Sequence, residues 1–105
     1  MKIAVLNGSP KGDNSITLQY VKYIQNHFPD NEWQTANIAV GTERFEKLPD
    51  AFDEVIELVR QSDAVLWAFP LYYCLVCGQM KRFIELIFER KAESAFAGKY
   101  TAALT

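Results

Sequence analysis

The sequence predicts an α/β architecture, an open parallel sheet with helices on both faces, on the strength of three features. Apolar runs at 3–6 and 63–69 read as strands covered on both sides, the habit of parallel sheets. The stretches between them carry one apolar stripe each. The cleanest stripe is Phe52, Val55, Ile56 and Val59, which recur at i, i+3, i+4 and i+7. The two kinds of segment alternate as β-α-β-α-β-α-β, and short right-handed crossovers turn that alternation into a single sheet.

The first strand, ending at Leu6, breaks at Asn7-Gly8-Ser9-Pro10 and passes through Lys11, Gly12, Asp13 and Asn14 into a helix over 16–28 that Ser15 can cap. Leu18, Val21, Ile24 and Phe28 share one side of that helix, and Pro29-Asp30-Asn31 supplies turn chemistry after it. Residues 32–38 read as a second strand in which Trp33, Thr35 and Ile38 keep only partial alternation. The polar stretch 40–48, with Gly41, reads as a loop. Pro49 stands in the linker or first turn of the next helix. After the third strand Pro70 opens a second unusual loop, 71–78, followed by a helix face of Met80, Phe83, Ile84 and Ile87. Gly98 marks a turn, and 100–105 begins a fourth strand. An apolar strand at that edge invites pairing, so the expectation is a piece of a longer protein or a sheet completed by a partner chain.

Composition narrows the function. The 105 residues make one small domain, and half of them are apolar, enough for a substantial core. Eleven Lys and Arg against thirteen Asp and Glu leave a net charge of −2 with no basic stripe, which argues against nucleic acid as a partner. No apolar run approaches the roughly 20 residues of a membrane helix, and the N-terminus has no signal-peptide layout. A cytoplasmic chain without a membrane partner is expected. Two cysteines, Cys74 and Cys77, are too few for a disulfide scaffold.

In the strand order 2-1-3-4, strands one and three are neighbours whose connections leave to opposite faces. That is where open α/β sheets bind ligands. The first loop offers Ser9, Asn14, Ser15 and Thr17 as short donors and Lys11 as a charge, beside a helix N-terminus that favours anions. It suits a phosphate, but a plain capped turn explains the same residues. The Gly-Lys-Ser/Thr ending of a Walker A loop is absent, and Gly8 and Gly12 lack the spacing of a dinucleotide fingerprint. In the second loop Tyr72 and Tyr73 suit a planar ring, or ordinary half-buried packing.

The pair Cys74 and Cys77 follows the third strand rather than the first, unlike a thioredoxin-type dithiol, and structural zinc lacks its four ligands. His27 reads as a surface or C-cap residue. Glu54, Glu57, Glu85 and Glu89, with Arg60, Arg82 and Arg90, read as solvated helix surface. No Ser/His/Asp triad or catalytic carboxylate pair is visible.

Taken together, Val5-Leu6-Asn7-Gly8-Ser9-Pro10-Lys11 with Asn14-Ser15, and Pro70-Leu71-Tyr72-Tyr73 with Gly78-Gln79-Met80-Lys81-Arg82-Phe83-Ile84-Glu85, resemble the NAD(P)H-dependent FMN reductases. This flavodoxin-like group also includes iron–sulfur flavoproteins, and the resemblance runs the length of the chain. It implies FMN as cofactor and NAD(P)H as substrate. By position, Ser9, Lys11, Asn14 and Ser15 would contact the phosphate. Pro70, Leu71, Tyr72, Tyr73 and Cys74 would border the isoalloxazine ring, with Gly78 allowing close approach. Lys81 reads as structural, and Leu86 stands where the family often has arginine. The iron–sulfur branch carries clustered cysteines after its second strand; residues 37–50 contain none, so no cluster is expected.

The resemblance further implies a third flavin-contacting loop and a fifth strand beyond the fourth. The expectation for residues 1–105 is therefore an incomplete flavodoxin-like, FMN-binding domain of an oxidoreductase, completed by a C-terminal half or as a homodimer. A flavodoxin-like electron carrier and a non-catalytic dimerising module are the alternatives.

Overall fold

The computed structural model describes residues 1–9, 11, 16–39, 42–69 and 78–104. Four parallel strands form one sheet in the order β2-β1-β3-β4: β1 (Lys2–Asn7), β2 (Glu32–Asn37), β3 (Ala64–Ala68) and β4 (Tyr100–Leu104). This is the predicted order. The central strand β1 is buried from Ala4 to Asn7, because it has a neighbour on each side and helices above and below. Register is set at both of its ends. The Asp63 amide donates to the Lys2 carbonyl (2.7 Å) while the Lys2 amide reaches the Asp63 carboxylate (2.9 Å). At the other end Asn7 lies opposite both Asn37 and Ala68.

Pleating divides the core in two. On one face Val5 and Ala68 pack against Leu18 and Val21 of α1 (Ile16–His27). The apolar side of α1 is shorter than its sequence suggests: Phe28 lies beyond the helix end and is exposed, and Ile24 is half-buried. Beside Ile24 a shallow cavity of about 250 Å³ opens over Ile3, Leu66, Tyr100 and Ala102. His27, exposed, is hydrogen-bonded through Nδ1 to the Tyr23 carbonyl (3.0 Å), the surface role expected of it.

The other face holds the larger core. Ala4, Leu6 and Val65 meet α2 (Thr42–Lys47), α3 (Pro49–Arg60), α4 (Gly78–Glu89) and a 3₁₀ turn (Glu93–Phe96). Phe83 of α4 sits at its centre, edge-on to Phe45 (5.4 Å between centroids) and tilted against Phe52 (5.5 Å). The helix α2 corrects the expectation of a loop over 40–48. One apolar residue, Phe45, in a six-residue polar stretch has no periodicity to read, and it is tertiary burial of that ring that holds the turn.

Proline in the first turn of α3 agrees with the sequence, since the N–H it lacks would have no intrahelical partner there. The 3₁₀ turn has no sequence forecast, and Phe96 stacks on Trp67 from it (5.8 Å). Gly98, at φ +73°, makes the forecast turn into β4. Outside the core, Arg82 of α4 joins Glu46 of α2 and Glu85 and Glu89 of its own helix. Its hydrogen bonds to Glu89 and Glu46 hold the guanidinium pKa above its ordinary value.

Candidate cofactor site at the carboxyl rim of the sheet

All parallel strands present their carboxyl ends to one rim, and the polar residue that closes β1 shapes it. Asn7 is fully buried. Its backbone carbonyl accepts from the Ile38 amide (3.0 Å), continuing the ladder toward β2. On the β3 side the Gly8 amide donates to the Ala68 carbonyl (2.7 Å). The first loop therefore leaves β1 while still bonded to the last residue of β3.

Gly8 is also pressed by α4. A Cβ there would lie 2.3 Å from Met80 Sδ and 3.1 Å from Phe69 Cβ, so only glycine fits without displacement. Met80 lies in the first turn of α4, directly after the second loop. The start of the first loop and the first turn of α4 thus meet at one corner of the sheet.

Hydrogen bonds then turn the chain. The Ser9 amide donates to Asn7 Oδ1 (3.2 Å), and the Lys11 amide donates to Ser9 Oγ (3.2 Å). Ser9 is buried and its amide is committed to the turn, which leaves the hydroxyl proton as the group it can offer a ligand. Lys11 is exposed. Gly78, the first residue of α4, is exposed, and a Cβ there would meet no described atom within 4 Å. Asn14, Ser15, Pro70, Leu71, Tyr72, Tyr73 and Cys74 lie outside the described residues, as does Cys77. Of the predicted set, then, the described residues bring Ser9, Lys11 and Gly78 to this rim. Among the described residues no group of three or more His, Cys, Asp or Glu side chains is placed to hold a metal, and no helix is long and apolar enough to cross a membrane.

Sequence reasoning passed over Asn7, Asn37 and the Gly8–Met80 contact. The first two carry a faint signal, since each is the polar residue that ends its strand.

The family profile described as NADPH-dependent FMN reductase matches residues 1–105. The chain belongs to that family. An iron–sulfur flavoprotein of Archaeoglobus fulgidus is 40% identical over 55 residues, which span 52% of this chain and 25% of that protein. Among solved structures, the flavoenzyme NAD(P)H:(acceptor) oxidoreductase FerB from Paracoccus denitrificans superposes with a TM-score of 0.75 at 22% identity, covering 97% of this chain and 58% of its own. An NADH:FMN oxidoreductase gives 0.72 at 23% identity over 96% and 57%. An NADPH-quinone reductase from P. pentosaceus gives 0.68 at 18% identity over 98% and 58%. At these identities the structures establish a shared fold. The chain spans a little over half the length of those structural relatives.

Proposed function

We propose that this chain is an FMN-binding unit of an NAD(P)H-dependent oxidoreductase, holding the flavin where the first and second loops meet. One observation supports the reading: the Gly8 amide is bonded to the Ala68 carbonyl, so the first loop leaves β1 beside the end of β3, the strand from which the second loop departs in sequence, at the switch point of the sheet. The donor set fits the cofactor. Lys11 supplies an exposed positive charge and Ser9 a hydroxyl for a phosphate, and Gly78 at the start of α4 is exposed, with no described atom within 4 Å of where its Cβ would stand.

Bound FMN would supply the hydride chemistry, taking it from NAD(P)H and delivering it to an acceptor. The chain itself anchors the phosphate through Ser9 and Lys11, with Asn14 and Ser15 added by family position. It borders the ring with Pro70, Leu71, Tyr72, Tyr73 and Cys74. None of these side chains acts as acid or base. An iron–sulfur cluster forms no part of the proposal, because residues 37–50 contain no cysteine to hold one.

Flavin absorbance and fluorescence during titration of the full-length protein with FMN test the binding. Saturation at one equivalent, weakened by Lys11→Glu, is expected. A folded protein that leaves FMN spectra unchanged would remove the reading. Steady-state NAD(P)H oxidation with FMN bound then separates an oxidoreductase, which turns over, from an electron carrier, which does not.

A further inference from the structure

The structure assigns to Asn37, on the edge strand β2, the role of positioning residue for the phosphate end of the flavin, acting through Asn7; this rests on the FMN-binding reading above. The two side chains form one hydrogen-bonded unit. Asn7 Nδ2 donates to Asn37 Oδ1 (2.9 Å), and Asn7 Oδ1 accepts the Ser9 amide (3.2 Å). A backbone N–H only donates, so the oxygen of Asn7 must face Ser9 and its NH₂ must face Asn37. Asn37 Oδ1 accepts the NH₂ that this orientation presents and so steadies Asn7 as the acceptor of the Ser9 amide. Ser9 in turn holds Lys11 through its hydroxyl oxygen.

Burial gives the relay its strength. Asn7 and Ser9 are almost wholly withdrawn from water, at 0% and 1% exposure, so solvent does not compete for the bond between them. Backbone pairing of Asn7 with Asn37 already fixes the two strands, and the Ile38 amide continues that ladder. The side-chain bond adds nothing that the sheet needs for register. What it does add is a fixed first turn of the loop, the part that carries Ser9 and Lys11. A ligand without a phosphate does not use that turn, so Asn37 discriminates phosphorylated from unphosphorylated flavin without touching either.

The test uses the full-length protein with Asn37→Leu and the milder Asn37→Ala, both at a half-buried position, together with Asn7→Ala and the double Asn7→Ala/Asn37→Ala. Dissociation constants for FMN and for riboflavin are measured by flavin fluorescence, and hydrogen exchange of the Ser9 amide is followed without ligand. Losing this part-buried hydrogen bond should weaken FMN by about three- to tenfold while leaving riboflavin unchanged. Ser9 exchange should quicken while the Val5 amide stays protected. Because Asn37 acts through Asn7, the double variant should bind FMN no worse than Asn7→Ala alone.

Equal losses for FMN and riboflavin, or unchanged FMN affinity in both Asn37 variants, would overturn the assignment with the binding reading intact. A folded wild-type protein that binds neither flavin would overturn both.

Discussion

Gly8 and Met80 touch so closely that the smallest side chain at position 8 would fall 2.3 Å from the Met80 sulfur. This contact locks the exit of β1 against the first turn of α4, and with it the two loops proposed to hold the flavin. Gly8→Ala must push aside Met80 or Phe69. Overpacking of this kind costs about 1–3 kcal/mol, so the midpoint of urea unfolding should fall accordingly. The double variant Gly8→Ala/Met80→Ala should lose less than the sum of the two single losses, because the clash disappears with the methionine. Strict additivity would show that the two residues are not in contact.

Phe45 makes the short helix α2 part of the core rather than a loop. Its ring is fully buried against Phe83. Phe45→Ala should lower stability by about 3–5 kcal/mol, the range for a buried phenylalanine. A change within about 0.5 kcal/mol, typical of surface sites, would return residues 42–47 to the status of a surface connection.

Arg82 ties α2 to α4 through Glu46 while also bonding Glu85 and Glu89. Arg82→Met keeps an unbranched apolar stem and removes the ties, so amides of α2 should exchange faster with solvent while those of β1 do not. High salt should mimic the substitution in the wild type, since these groups are partly exposed. The raised guanidinium pKa gives arginine's share of the network a simple pH profile. It is constant across neutral pH and lost only in strong alkali.

The parts of the fold that sequence reasoning reached are those with a repeating signal. Four strands and the long helices follow from apolar runs and stripes such as Phe52, Val55, Ile56 and Val59, and the order 2-1-3-4 is the one a flavodoxin-like fold implies. The features it passed over depend on single residues. Phe45 alone commits α2 to the core, and Phe28 looks like helix face until the helix is seen to end at His27. The candidate site was legible as a position, at the junction of strands one and three, more than as chemistry. Ser9, Lys11 and Gly78 can be placed there from local pattern and family resemblance. The Asn7–Asn37 unit cannot, because it joins residues a whole β-α-β unit apart and depends on a register that only the folded sheet defines.

The most direct test of the central claim is the backbone amide spectrum of the full-length protein during an FMN titration. The account predicts saturating shifts concentrated at Gly8, Ser9, Lys11, Gly78 and Met80, around the rim where β1 and β3 end. Shifts concentrated instead at Ile3, Ile24 and Tyr100, around the cavity on the α1 face, would contradict it.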